Sequence, residues 1–158
     1  MSRFQTLVVL FSAALVLGLG ASVSAAWRQQ AKEKPKDAPT FDDKTAALTE
    51  TKDGKEKKTQ IELKYCLKVK GFFDADGFNL EEVDEDGPAS KLGTEPGGTG
   101  VRCEKGDIIK EVDGKAVKTA EDYAKAMNGA ADHDKVKIKV KDINGGQEVE
   151  FYADTAKR

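Results

Sequence analysis

Glu104-Lys105-Gly106-Asp107-Ile108-Ile109-Lys110-Glu111-Val112-Asp113-Gly114-Lys115-Ala116-Val117 says more about architecture than any other part of this chain. Gly106-Asp107 opens a strand from Ile108 to Val112, and Asp113-Gly114 closes it with a strong hairpin signal. Ala116-Val117 continues as a short strand or extended arm. Further on, Thr119 is placed to cap a helix from Ala120 to about Met127, with Asp122 three residues later as an approximate capping box. Asn128 and Gly129 supply the stop. Val136, Ile138 and Val140 alternate with lysines, Asn144-Gly145-Gly146 turns the chain, and Val149 and Phe151 alternate on the return. That pattern predicts an antiparallel hairpin.

Upstream, Ile61, Leu63, Tyr65, Leu67 and Val69 alternate with polar neighbours, the period-2 pattern of a half-buried strand. Gly71 to Gly77 reads as a turn carrying Phe72 and Phe73, and a second strand is expected from about Phe78 to Val83. Asp86-Gly87-Pro88 is turn chemistry, with Pro88 at the first position of a short helix, Pro88 to Leu92. Thr94 to Gly100 is rich in glycine, yet no Lys-Ser or Lys-Thr pair follows it and no strand directly precedes it, so it reads as a surface loop and not a phosphate cradle. The expectation is an α+β unit over residues 61–155, a small, partly open β-barrel or sandwich of five to six short strands with two helices.

The first 26 residues differ from the rest. Arg3 is the only charge, Leu7 to Leu19 is almost continuously apolar, and Ala21 to Ala26 is rich in small residues. These are the three parts of a secretory signal, with Val23 and Ala25 suiting a cut after Ala25, and a cut after Ala26 also compatible. The apolar run is short beside the about 20 residues of a bilayer-spanning helix. Residues 1–25 are therefore read as a signal peptide, which makes the protein periplasmic or secreted; it is membrane-anchored only if that segment stays uncleaved. Residues 26–60 are poor in large apolar groups and carry runs such as Lys52-Asp53-Gly54-Lys55-Glu56-Lys57-Lys58. Such runs bury too little apolar surface to offset chain entropy. The stretch reads as a charged, flexible linker, in which Phe41, Ala46, Ala47 and Leu48 suit a transient helical turn or a docking contact.

Several function classes fall away. A net charge of -2, from 26 basic and 28 acidic side chains in interspersed order, gives no positive patch for nucleic acid. Asp74-Ala75-Asp76-Gly77 looks like a calcium loop until Gly77 is set at the sixth position, which puts Phe72 first and Val83 last, where carboxylates are required. Two cysteines and one histidine, His133, do not make a metal-ligand cluster. With a single histidine and no Gly-x-Ser-x-Gly or comparable nucleophile segment, no Ser-His-Asp machinery is present, and no cofactor or catalytic residue is implied. Export permits a Cys66–Cys103 disulfide, but geometry vetoes most random cysteine pairs, and two separate buried thiols are the alternative.

Glu82-Val83-Asp84-Glu85-Asp86-Gly87-Pro88-Ala89-Ser90-Lys91-Leu92-Gly93, followed by the hairpin from Glu104 to Val117, resembles the PDZ family in the arrangement of bacterial HtrA-type periplasmic proteases. The resemblance covers about Ile61 to Tyr152, without an attached protease domain. Matched residues such as Ala89, Gly106, Asp107, Ile109, Val112 and Gly114 read as structural. In that family an extended peptide adds as a strand beside one domain strand, and its terminal carboxylate rests on the backbone amides of a preceding loop. The resemblance implies a peptide-binding groove formed by Lys64, Tyr65, Cys66, Leu67, Lys68 and Val69 on one side and Ala120, Tyr123, Ala124 and Met127 on the other. Tyr123 and Met127 suit the core equally well. The loop has no glycine, which departs from the family pattern and bears on whether its amides turn inward. The implied function is an exported adaptor that binds a peptide or protein tail by β-augmentation. The alternatives are an envelope assembly component that docks through another surface, and a regulatory partner of a separate protease.

Overall fold

The computed structural model describes residues 32–96, 98–129 and 135–158. In chain order the first strands are β1 (Thr40–Asp42), β2 (Ala47–Lys52), β3 (Lys55–Gln60), β4 (Tyr65–Cys66), β5 (Val69–Asp74) and β6 (Gly77–Val83). A 3-10 turn, Pro88–Ser90, follows, then β7 (Ile108–Val112), β8 (Lys115–Ala116), helix α1 (Ala120–Gly129), β9 (Lys135–Lys141), β10 (Glu148–Asp154) and β11 (Ala156–Lys157). Nine strands form one open antiparallel sheet in the order β10-β9-β7-β6-β5-β1-β2-β3, with β8 pairing β7 off that path. Strands β4 and β11 make a separate two-stranded ribbon.

This corrects the expected α+β barrel or sandwich of five to six strands and two helices. The fold is mostly β, its large sheet is open, and the described residues contain one short helix. Pro88 to Leu92 gives a single 3-10 turn because the chain is already committed beyond it. Leu92 bridges Val101, and Gly93 exchanges both backbone hydrogen bonds with Tyr152, at 3.0 and 2.8 Å.

The larger correction concerns the expected linker over 26–60, since residues 40–60 form β1, β2 and β3. Their polarity is no obstacle at the rim of a sheet: every residue of β3 is exposed, and β2 is half-covered only over its first three residues. The turn between them is Asp53-Gly54, with φ of +52° and +72°. Two successive positive φ values make the type I′ turn that matches strand twist, the same chemistry as Asp113-Gly114 at +47° and +74°. The expected signal peptide, residues 1–25, and His133 lie outside the described residues. Among the described residues no helix is long and apolar enough to cross a membrane.

The hairpin and helix signals of the C-terminal half meet their counterparts. Val136, Ile138 and Val140 of β9 are buried while the intervening lysines are half-covered, and β10 pairs with β9 from Glu148↔Lys141 to Asp154↔Lys135. Thr119 Oγ1 accepts the Asp122 N–H at 3.1 Å, capping α1. Between β5 and β6 the turn is tighter than expected, with Asp74 opposite Gly77, so Phe72 and Phe73 belong to a strand. Gly71 also lies inside β5, beside a register shift, where a Cβ would stand 1.8 Å from the carbonyl oxygen of Asn79. Only glycine permits that approach.

The core centres on aromatic rings from three distant segments. Phe41, Phe78 and Tyr123 are fully buried. The Tyr123 ring meets Phe41 and Phe78 edge-on, with centroids 5.8 and 5.3 Å away, and Phe73 stacks on Phe78 at 4.4 Å. Such contacts add about 0.5–1.5 kcal/mol each beyond area burial. Phe41 thereby ties β1 to the body of the protein.

Candidate functional site

The segment between β4 and β5 departs from the single strand expected over Ile61 to Val69. Cys66 and Leu67 are buried in succession, and Lys68 takes a φ of +59°. A residue of left-handed conformation brings the N–H groups on either side of it toward one point, the geometry of a backbone anion nest. Here the two are Leu67 and Val69. The loop turns its amides inward without glycine, and Lys68 carries the conformational cost.

The group in that nest is a carboxylate of the same chain. Asp43 Oδ2 accepts the Leu67 N–H and Oδ1 accepts the Val69 N–H, each at 2.7 Å. The Tyr123 hydroxyl of α1 donates to Oδ2, also at 2.7 Å. Asp43 completes the ladder by donating its own N–H to the Val69 carbonyl at 3.1 Å. Just before it, β1 runs antiparallel to β5, with Phe41 opposite Gly71 and Asp42 opposite Lys70. Residues two apart on a strand share a face, so Phe41 and Asp43 point together toward α1. A strand thus lies along β5 with an aromatic ring against Tyr123 and a carboxylate in the loop.

Asp43 is fully buried, and none of its three donors is a cation. Burial pushes its carboxyl up to about 6, against the downward pull of the Tyr123 hydroxyl and the Leu67 and Val69 amides. Desolvation outweighs three good hydrogen bonds. Burial, then the Asp43 charge, also holds the Tyr123 phenol well above its ordinary range, so it acts here as a donor. The Cys66 thiol is raised by burial and by Asp43, and burial raises that of Cys103. Both cysteines are free and buried, so the disulfide alternative gives way to two separate thiols of low reactivity.

The residues implied by the resemblance distribute unevenly around this centre. Leu67 and Val69 supply the amides and Tyr123 the hydroxyl. Ala120, Ala124 and Met127 are buried in the core and line no open groove, because Phe41 and its neighbours already cover that side. The Tyr65-Cys66 edge is taken by β11, with Cys66 opposite Ala156 and Tyr65 opposite Lys157. The Lys64 side chain is exposed, while its backbone N–H donates to Asn128 Oδ1 at 2.7 Å and its carbonyl accepts from the Arg158 N–H at 3.0 Å. Arg158 matters a second time: its guanidinium donates to the carbonyls of Lys44 at 3.1 Å and Thr45 at 2.5 Å, directly after Asp43.

Asp43 itself was missed by sequence reasoning, because it sits in the stretch read as linker. The Asp53-Gly54 pair was the available signal, since a hairpin there places a strand-forming segment just upstream. Among the described residues no cluster of His, Cys, Asp and Glu is arranged to hold a metal ion. What the arrangement does chemically is hold one carboxylate, that of Asp43, beside a short strand paired with β5. No protein-family model matches the chain, and no curated protein matches it.

Proposed function

We propose that this protein is an exported peptide- or protein-binding adaptor that takes an extended segment or tail as a strand along β5, with a carboxylate in the loop between β4 and β5. The observation that carries this reading is the convergence of two backbone N–H groups and the Tyr123 hydroxyl on one carboxylate at the end of an added strand. Main-chain pairing gives affinity in such recognition, and alternate side-chain pockets give selectivity. The relationship to the PDZ family is proposed at the level of these parts, supported by the Gly-Asp and Asp-Gly hairpin and by the position of α1 beside the loop. The leader-like residues 1–25 support export.

A second reading is favoured by one observation, the filling of the site by the chain's own Phe41 and Asp43. It makes the protein an envelope assembly component, or a regulatory partner of a separate protease, docking through another surface. The two are separated by titrating the full chain with extended peptides bearing free and amidated C-termini while following the Leu67 and Val69 amide resonances. Shifts at those amides that saturate with peptide support recognition along β5. Resonances that stay fixed for every peptide, both in the wild-type chain and in Arg158→Ala, reject it in favour of docking elsewhere.

A further inference from the structure

Strand β1 behaves less like a structural member than like something bound. It is three residues long, and beyond it β2 and β3 pair only with each other and with β1, so the whole arm joins the main sheet through one short strand. What anchors it, besides the Phe41 ring, is a buried carboxylate held by neutral donors, and those two amides and one hydroxyl need an acceptor whichever strand lies there. Beyond it Ala46 is buried and Leu48 and Ile61 are half-buried against the core, and the polar fastenings are exposed: Arg158 on the carbonyls of Lys44 and Thr45, and Lys44 paired with Asp84 at 3.1 Å. Exposed contacts of this kind are weak and screened by salt.

We propose that Thr40–Asp43 is a built-in competitor: it holds the place of an outside strand, and the partner is an extended internal segment with an aromatic residue two positions before an aspartate, which binds by displacing it. This rests on the function proposed above. The spacing follows from the strand itself, where Phe41 fills the space against Tyr123 and Asp43 meets the Leu67 and Val69 amides on the same face. A side-chain carboxylate does the work of a terminal one, so the partner needs no free C-terminus. Because the competitor is tethered, its effective concentration is on the order of millimolar, and it weakens every outside ligand by the same factor.

The test uses the full chain and an amidated peptide matching residues 36–46. Affinity is measured for wild type, Phe41→Ala and Arg158→Ala. The second variant is needed because the first opens a core cavity; the Arg158 change opens none and removes the guanidinium from the carbonyls of Lys44, Thr45 and Leu63. The expected result is binding about two- to fivefold tighter to Arg158→Ala, and tighter still to Phe41→Ala if it folds, than to wild type. Leu67 and Val69 amides should shift, and the effect should vanish when the peptide residue matching Asp43 is alanine. Equal affinity for wild type and a folded Arg158→Ala chain overturns the proposal. So does binding of free-ended tails, but not of this peptide, to the opened chain, an outcome that leaves the adaptor function standing. If no peptide of either kind moves those amides in the opened chain, the adaptor function falls with it.

Discussion

Replacing Asp43 with asparagine should change how stability depends on pH, in a direction opposite to the usual carboxylate effect. The side chain keeps its shape and loses its charge, so it approximates the protonated acid at every pH. In the wild-type chain the group titrates near 3.8 when unfolded and near 6 when folded. Below pH 3.8 both states carry the proton and its stabilising contribution is complete. Between about 4 and 6 the folded protein retains a proton that the unfolded chain has lost, so this contribution drains away as pH rises and stays absent above about 6. The size of the loss is about 3 kcal/mol, a considerable share of the stability of a small domain. Surface carboxylates held down by lysines, such as Asp84 beside Lys44 and Glu148 beside Lys110, act in the reverse sense and mask the effect in a single pH series. Asp107, raised by burial, adds to it. These groups are common to both chains, so the difference between wild type and Asp43→Asn isolates the one carboxyl. Urea unfolding followed by circular dichroism from pH 3.5 to 8 gives that difference. It should fall by about 3 kcal/mol across the interval and then level off. A flat or rising difference would refute a buried, desolvated Asp43, and with it the picture of a carboxylate sealed into the loop.

Tyr123→Phe keeps the ring against Phe41 and Phe78 but deletes one donor to Asp43; a loss of about 1–3 kcal/mol is expected, with the Asp43 carboxyl midpoint moving upward in an NMR titration. An unchanged midpoint would mean the hydroxyl does not engage the carboxylate. Gly71→Ala drives a Cβ into the Asn79 carbonyl, a clash expected to cost more than about 4 kcal/mol; a melting temperature within a few degrees of wild type would contradict the close approach. Gly54→Val puts a β-branched residue at positive φ and should strip hydrogen-exchange protection from β2 and β3 while leaving that of β7 and β9 intact. Loss of protection throughout would make the arm part of the cooperative core. Finally, Cys66 and Cys103 should resist a thiol reagent in the native protein and both react in denaturant without reductant; absence of reactive thiols there would establish a bridge.

The parts of the fold that could be read from sequence are those encoded locally. Asp113-Gly114 sits between two strands that pair with each other, Thr119 is adjacent to the helix it caps, and the Val136-Ile138-Val140 alternation displays its own period. The arm was hidden for the opposite reason. A three-residue strand is too short to show a period, and β2 and β3 need no apolar face at an exposed rim. The Asp43–Val69 contact joins residues 26 positions apart, and nothing near Asp43 announces its partner. The loop was singled out only through the family resemblance, and its conformation was not legible at all. Positive φ at Lys68 is set by what surrounds it, including Asp84, whose N–H donates to the Lys68 carbonyl at 3.1 Å. The helix starting at Ala120 was legible, but its residues were assigned to an open groove on the side where Phe41 packs.

The arm also determines which strand ends the sheet. Without β1 the sheet would finish at β5, where Val69 and Phe72 lie at a rim able to template another chain. With the arm in place that rim is capped, and the terminal strand becomes β3, Lys-Glu-Lys-Lys-Thr-Gln, exposed throughout. A lysine-rich edge repels its own copies and resists sheet-to-sheet growth. Solubility and ligand access are therefore opposed in this molecule: the same movement that would clear β5 for a partner would uncover a strand prone to self-association, so a vacant β5 should be short-lived and concentration-sensitive.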